Sequence, residues 1–300
     1  MFRRFVSTPT TIPVRGCISV ENLEFVFAGI NWRTTREHPI ESVLVPDLLR
    51  LLGREVQPTV NNDMQQTSQD CEFTVNGVTF KMIYVEGGTF QMGATPEQGS
   101  EAFSYEKPVH SVTLSSYHIG ETPVTQALWT AVMGNNPSEL KGDNLPVETV
   151  TWDDCQKFIQ KLNQLTDKKF RLPTEVEWEY AARGGKHHSP YKYAGSNSLD
   201  EVAWYVGNSG GATHSVKTKK PNALGIYDMS GNVWEWCEDW YGAYSYSAQT
   251  DPKGPASGSY RVPRGGSWFI IAGSCRVSYR INRTPGYRYN NVGFRLALVH

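Results

Sequence analysis

Thiols and imidazoles are the side chains best suited to nucleophilic or metal chemistry, and this chain of 300 residues holds five cysteines and seven histidines. The cysteines stand singly at positions 17, 71, 155, 237 and 275, so no CxxC pair indicates a zinc site. An odd and dispersed set also argues against a disulfide framework. We therefore expect free thiols, as in a protein made in a reducing compartment.

The histidines, at positions 38, 110, 118, 187, 188, 214 and 300, form no pattern that predicts catalysis. Adjacent His187 and His188 point in different directions within a loop, and His110 lies in a predicted strand. No Ser-His-Asp arrangement is indicated. The glycine-rich stretch at 207–215 lacks the glycine spacing and the flanking strand and helix of a phosphate-binding loop. Neither a hydrolytic triad nor a nucleotide site is predicted.

Arginine dominates the C-terminal region. Residues 261–300 hold seven arginines and no Asp, Glu or Lys, so a net charge of −1 for the whole chain leaves −8 for residues 1–260. A nucleic-acid-binding patch would normally include lysine. Arginine interleaved with Trp and Tyr is more typical of structural forks onto carbonyls and carboxylates, with Glu238 and Asp239 as candidate partners. We therefore predict no nucleic-acid partner.

Three short helices are predicted among the elements that must position these cysteines, histidines and arginines. Thr151 predicts the start of a helix that continues through residues 155–163 and carries an apolar face. A capping box at 173–177 opens a second helix, and its dipole accounts for the glutamates of the first turns without catalysis. A third helix is predicted at 125–133, ending at Gly134.

The N-terminal region differs from the rest. Residues 1–68 contain one predicted short helix, at 45–53, followed by a polar linker. Asn76-Gly77 then predicts a type I′ turn in a hairpin over residues 71–85. We therefore predict a small N-terminal domain with its linker over residues 1–68, and a second domain over residues 69–300.

The composition favours an aromatic, loop-rich fold. Nine Trp, fifteen Tyr and twelve Phe accompany 27 Gly and 17 Pro, which suits aromatic packing between turns better than a helical bundle. No apolar run is long enough to span a bilayer, so we predict no membrane span. The basic N-terminus has no apolar segment behind it, so a secretory signal is not expected.

Six motifs in a fixed order now carry a resemblance. They are MIYVEGGTFQMG (82–93), EKPVHSVTLSSYHIGETPVT (106–125), LPVETVTWDDCQKFIQKLN (145–163), FRLPTEVEWEYAARGG (170–185), NALGIYDMSGNVWEWCEDWY (222–241) and RGGSW…NVGFRLA (264–297). Together they resemble the formylglycine-generating-enzyme, or sulfatase-modifying-factor, family. The resemblance implies an α+β, C-type-lectin-like fold with short strands, few helices and many loops. It does not fix the activity, because one fold hosts several functions.

The enzymatic branch of that family is tested at two positions. In that branch, as the resemblance implies, two thiolates hold copper(I), and they stand five residues apart after the motif that RGGSW resembles. Counting from Trp268, Cys275 matches the second thiolate, but Ile270 matches the first. An isoleucine can neither ligate copper nor form a mixed disulfide with a substrate. We therefore predict that the chain is not an enzyme and holds no copper, with a formylglycine-generating-type oxidase or sulfatase-modifying factor as the alternative.

A second branch of the family holds non-haem iron through three histidines of an added helical domain. The histidines of this chain offer no such set. No iron is expected.

The resemblance also implies a calcium site. In that family the stretch matching residues 228–235 wraps the ion with two side-chain oxygens and two backbone carbonyls. Asp228 and Glu235 would supply hard carboxylate oxygens, whereas Gly231 and Val233 would supply the carbonyls. We predict structural calcium here, and the alternative is a tight turn with two tryptophans packed inside.

The C-terminal region has the layout of a variable surface. It resembles the variable region of diversity-generating retroelement proteins, in which a reverse transcriptase rewrites the adenines of AAC codons. Rich in Tyr, with Ser, Asn and Arg, it suits an adaptable binding face. Within residues 261–300 the predicted variable, ligand-binding positions are Phe269, Ile270, Ile271, Ser274, Tyr279, Ile281, Asn282, Arg283, Tyr287, Tyr289 and Asn290.

The predicted function is therefore a ligand-binding display protein. Its partner would be a protein or glycan receptor on a cell surface, and residues 1–68 would attach it to a virion tail or to a bacterial surface. A cytoplasmic location stays open, as does a homo-oligomer.

Overall fold

The computed structural model of the protein describes residues 69–298. The helix predicted at 45–53, Cys17 and the attachment domain predicted over residues 1–68 lie outside the described residues. The four described cysteines are all free thiols, as predicted for them. No helix among residues 69–298 is long and apolar enough to cross a membrane.

Short strands and four helices make up the described part of the chain. The strands are β1 (Cys71–Val75), β2 (Val78–Val85), β3 (Gly88–Met92), β4 (His110–Leu114), β5 (Tyr117–Gly120), β6 (Phe170–Arg171), β7 (Trp234–Trp240), β8 (Gln249–Thr250), β9 (Arg261–Arg264), β10 (Val292–Phe294) and β11 (Ala297–Leu298). The helices are α1 (Gln126–Met133), α2 (Trp152–Thr166), α3 (Glu175–Ala182) and α4 (Leu199–Val202). This confirms the predicted loop-rich α+β class.

The predicted hairpin opens a five-stranded sheet. Asn76 and Gly77 have φ of 47° and 83°, which a type I′ turn requires, and they join antiparallel β1 and β2. The strand order is β1-β2-β5-β11-β6. In its centre Ile119 of β5 pairs with both Ile83 and Ala297. The sheet therefore joins the beginning of the described chain to its end.

Strands β9 and β10 flank β7 in a three-stranded sheet. Val292 of β10 pairs in parallel with Trp234, and Arg264 of β9 pairs antiparallel with Glu235. A second small sheet has the order β3-β4-β8. The segment 265–291, between β9 and β10, contains no strand and one short 3-10 helix, Ala272–Cys275. The C-terminal region is thus anchored at both ends and irregular between them.

The predicted helix starts are confirmed by their caps. The Thr151 hydroxyl accepts from the N–H of Asp154, and Thr174 does the same for Glu177, each as part of a capping box. Gly134 ends α1 in the left-handed conformation. These caps fix where α2 and α3 begin, and hence which residues face the core.

Aromatic rings fill much of the core. Trp129 of α1 stacks on Phe158 of α2 with ring centroids 5.2 Å apart, and Phe294 of β10 meets both edge-on. Trp178 and Trp236 are fully buried. Each indole N–H finds an acceptor, Glu235 for Trp178 and the carbonyl of Val150 for Trp236, so burial of these polar groups is compensated.

Four arginines of the C-terminal region are almost completely buried, and each pairs with a buried glutamate from elsewhere in the chain. The pairs are Arg264 with Glu179, Arg276 with Glu106, Arg280 with Glu175, and Arg295 with Glu235. In the last three the guanidinium uses two nitrogens, at 2.6–2.7 Å from the two carboxylate oxygens. The structural role predicted for the arginines is confirmed at these positions.

Glu238 and Asp239, the partners predicted for the arginines, are not the carboxylates that pair with the four buried arginines. Arg261 donates to the backbone carbonyl of Glu238, whose carboxylate accepts from Gln156 instead. Asp239 is buried and accepts from the N–H of Glu175, and no Lys or Arg within residues 69–298 forms an ion pair with it. Burial and then the nearby Glu175 raise the pKa of Asp239 to about 8. The helix dipole was therefore an incomplete explanation for the glutamates of α3, because two of them are the partners of buried arginines.

The pair of Arg276 and Glu106 gives a direct test of this scaffold. Arg276→Met leaves Glu106 buried without its partner, so we expect the free energy of unfolding to fall by about 3–5 kcal/mol in urea denaturation. The matched control is Arg288→Met, because the Arg288 side chain is 57% exposed and lies 3.7 Å from Asp154. That change should stay within about 0.5 kcal/mol. Equal effects of the two changes would contradict the role of the buried pair.

Candidate ligand-binding surface

The predicted variable positions lie on the irregular segment between β9 and β10, and ten of the eleven reach the surface. Phe269, Ile271 and Tyr289 are 57%, 67% and 52% exposed. The remaining seven are half-buried, and they are Ile270, Tyr279, Ile281, Asn282, Arg283, Tyr287 and Asn290. We call these ten residues the tail surface.

Ser274 is the exception, and the expectation that it is displayed is wrong. Its side chain is only 6% exposed, within the 3-10 helix at Ala272–Cys275. The backbone there passes so close to Gly266 that a Cβ on Gly266 would lie 3.0 Å from the carbonyl oxygen of Ser274. A position packed this tightly belongs to the scaffold.

Residues 272, 273, 284–286 and 288 also reach the surface, but the other residues between and directly beside the tail-surface positions are buried. They include Trp268, Cys275, Arg276, Val277, Ser278, Arg280, Asn291 and Val292. Exposed and buried positions alternate irregularly, because the segment has no regular secondary structure to impose a period of two or of 3.6 residues. The sequence pattern alone therefore could not prove which residues face outward.

Buried donors hold the backbone of the tail surface. Nη1 of Arg264 donates to the carbonyl oxygens of Ser278 and Tyr279, at 2.8 and 2.5 Å. Nε1 of Trp268 donates to the carbonyl of Asn290 at 3.0 Å. Since these bonds end on backbone carbonyls, they form whatever side chain stands at position 279 or 290. Side-chain identity on the surface is thereby separated from backbone position.

The tail surface combines apolar and polar side chains. Tyr279 lies 6.0 Å from the buried Trp234 between ring centroids, and Arg283 lies 5.2 Å above the ring of Tyr287. Asn290 donates to the carboxylate of Glu139 at 2.6 Å. Rigid aromatic area with adaptable polar groups is the composition that paratopes use for recognition.

The residue that matches a catalytic thiol, Cys275, lies in the core. Cys275 is fully buried, and burial raises the pKa of its thiol to about 12. A thiolate is the reactive and metal-binding form, and burial disfavours it here. Ile270 packs beside it as part of one apolar cluster. Within residues 69–298, no group of three or more His, Cys, Asp or Glu residues is placed to hold a metal ion.

The residues predicted to hold calcium do not fit the ion as one ligand set. Both carboxylate oxygens of Glu235 are occupied by the guanidinium of Arg295, and one also accepts from Trp178. Asp228 is buried and accepts from the backbone N–H of Lys217 at 3.0 Å. Glu235 therefore serves as the partner of a buried arginine rather than as a free ligand.

Gly231 and Val233 have packing roles in the same turn. A Cβ on Gly231, whose φ is +80°, would lie 2.3 Å from the carbonyl oxygen of Trp204. Val233 is buried. Close packing therefore fixes the backbone of this turn at both positions.

The fold and the buried scaffold define a known class of protein. Residues 68–299 match the family described as the sulfatase-modifying factor enzyme 1-like domain, and the chain belongs to this family. This confirms the resemblance to the formylglycine-generating-enzyme family.

Curated relatives carry different names. The chain is 34% identical over 252 residues to a protein named chaperone protein LppX from Paenibacillus barcinonensis, covering 67% of this chain and 83% of that protein. It is 31% identical over 284 residues to the formylglycine-generating enzyme of Streptomyces coelicolor, covering 72% and 88%. It is 32% identical over 247 residues to the Chlamydia pneumoniae protein named serine/threonine-protein kinase pkn1. That match covers 72% of this chain but only 38% of the kinase-named protein.

Among solved structures, the chain is similar to Treponema denticola variable protein 1. The TM-score is 0.70 at 39% sequence identity, and the match covers 77% of this chain and 99% of the other. This similarity supports the predicted class, a variable protein with a C-type-lectin-like fold.

The separation of surface and scaffold predicts unequal mutational costs. Phe269→Ser, Ile271→Ser and Tyr289→Ser should each change the free energy of unfolding by no more than about 0.5 kcal/mol, because these side chains are largely solvated. Phe294→Ala removes a fully buried ring and should cost about 3–5 kcal/mol. Urea denaturation measures both. Large losses from the three surface changes would mean that the tail surface is part of the core.

The hydrogen bonds of Glu235 predict how the protein responds to calcium. A ligand that binds only the native state raises the melting temperature. Because Glu235 is paired with Arg295, we expect neither calcium nor a chelator to shift the melting curve. If calcium did raise the melting temperature and Asp228→Asn removed the rise, the loop would take the ion after all.

Proposed function

We propose that this chain is a non-enzymatic display protein whose tail surface binds a ligand. One observation carries the proposal: ten predicted variable positions reach the surface, while Trp268, Arg276 and Arg280 beside them are buried and bonded. Ligand-binding residues can then change without loss of the fold. A protein that must recognise new ligands needs this separation.

Diversification by a retroelement accounts for the residue types on the tail surface. Phe, Ile, Tyr, Asn and Arg are all reachable from an AAC codon by changing adenines alone. Similarity to a structure named as a variable protein, at 39% identity, supports the same interpretation. The ligand of such a surface is a protein or glycan receptor on a cell surface, and residues 1–68 attach the domain to a virion tail or a bacterial surface.

The nucleotide sequence tests diversification directly. We expect a near-copy of the segment encoding residues 261–300 close to the gene, differing from it only at adenine positions, beside a gene for a reverse transcriptase. A near-copy whose differences fall on other bases, or the lack of any near-copy, would contradict diversification.

An oxidase of the formylglycine-generating type is the second candidate. It is favoured by the 31% identity to the Streptomyces coelicolor enzyme over 88% of that enzyme's length. It is disfavoured by Ile270, which provides no second thiol, and by the burial that raises the pKa of Cys275. The display function is the better supported of the two.

The display function and the oxidase alternative differ in whether an aldehyde product forms. Purified protein given copper and a cysteine-containing peptide of the sulfatase type should form no aldehyde above a buffer control, because one thiol of the pair is absent. Mass spectrometry of the peptide measures the conversion. The formylglycine-generating enzyme of Streptomyces coelicolor serves as the positive control, and turnover by this protein would overturn the display function.

A further inference from the structure

A pair of aromatic residues outside the C-terminal region continues the tail surface. Phe103 is 49% exposed, and its ring stacks on that of Tyr105 with centroids 5.1 Å apart and planes within 7°. Both rings meet Tyr279 edge-on, at centroid distances of 5.9 and 6.1 Å. The three rings therefore form one aromatic cluster, of which only Tyr279 belongs to the predicted variable positions.

The loop that carries this pair is tied to the scaffold rather than to variable positions. The N–H of Phe103 donates to the carboxylate of Glu106 at 2.9 Å. Glu106 in turn pairs with the guanidinium of Arg276, at 2.6 and 2.7 Å. The Ser278 hydroxyl donates to Glu106, and its oxygen lies 3.1 Å from the side-chain oxygen of buried Gln98. Phe103 therefore keeps its place when the tail surface changes.

We propose that Phe103 and Tyr105 form a fixed wall of the binding surface, which gives a constant apolar contact to each ligand that the variable positions select. This inference rests on the proposed function. Tyr105 covers one face of the Phe103 ring, and 49% of Phe103 stays accessible. A rigid aromatic ring loses little conformational entropy on binding and suits an anchoring role.

The chemistry around the wall favours a protein ligand over a glycan. The Glu106 carboxylate is already occupied by Arg276 and Ser278, so it is not free to accept from sugar hydroxyls. The Asn290 amide nitrogen donates to the carboxylate of Glu139. The aliphatic side chains of Ile271 and Ile281 reach the surface in the same segment as Tyr279. Such a surface matches an apolar side chain of a polypeptide.

A binding experiment with a chosen probe tests the wall. The full chain is displayed with positions 269–271, 281–283, 287, 289 and 290 randomised, while Tyr279 is kept. Binders are selected on lysozyme as the protein probe and, separately, on mannan as the glycan probe. Phe103→Ala, Phe103→Leu and Leu165→Ala are then introduced into each binder.

Leu165 supplies the matched control, because it is 50% exposed and lies in the last turn of α2, about 20 Å from the start of that helix. In most lysozyme binders Phe103→Ala should weaken binding by at least about tenfold, and Phe103→Leu by less. Leu165→Ala should leave the affinity nearly unchanged. Thermal melting of each variant separates a lost contact from a lost fold.

The outcomes distinguish failure of the wall formed by Phe103 and Tyr105 from failure of the display function. If lysozyme binders arise but Phe103→Ala affects them no more than Leu165→Ala, the wall is overturned and the display function stands. If binders arise only on mannan, the choice of a protein ligand is overturned. If a folded library yields no binder on either probe, the display function itself fails, and the wall fails with it.

Discussion

Four buried ion pairs between the C-terminal region and the remainder of the domain are the constraint on which this structure depends. Arg264, Arg276, Arg280 and Arg295 are each no more than 2% exposed, and each meets a buried glutamate. Removing two charges from water is costly, so such a pair adds little stability compared with an apolar core. Breaking one is costly all the same, because the remaining charge stays buried without compensation. The pairs therefore fix where an irregular segment lies.

This anchoring explains how a surface can vary on a segment without regular structure. The guanidinium of Arg264 and the indole of Trp268 donate to backbone carbonyls of the tail surface, and these bonds do not depend on the side chains there. A helix or strand would have imposed its own period on the exposed positions. An irregular backbone held by side-chain donors leaves ten positions at the surface in an uneven pattern. Paratopes on loops of a rigid sandwich follow the same logic.

The same scaffold also involves two residues that resemble parts of reactive sites. A redox thiol needs a stabilised thiolate, whereas burial raises the pKa of the Cys275 thiol, and Ile270 packs against the apolar cluster to which Cys275 belongs. A calcium ligand needs free oxygens, whereas Arg295 occupies both oxygens of Glu235. In each case a residue that resembles part of a reactive site is used for packing or for charge compensation.

The sequence by itself determined the local elements and the family. Asn76-Gly77 predicted the hairpin, and Thr151 and Thr174 predicted the starts of two helices, because turns and caps depend on neighbouring residues alone. The ordered motifs predicted the fold. Tertiary structure alone decided that the arginines pair with glutamates 60 to 170 residues away rather than with Glu238 and Asp239. It also decided that Ser274 is buried and that Phe103 joins the tail surface, since both depend on contacts between segments distant in the chain, which no local pattern encodes.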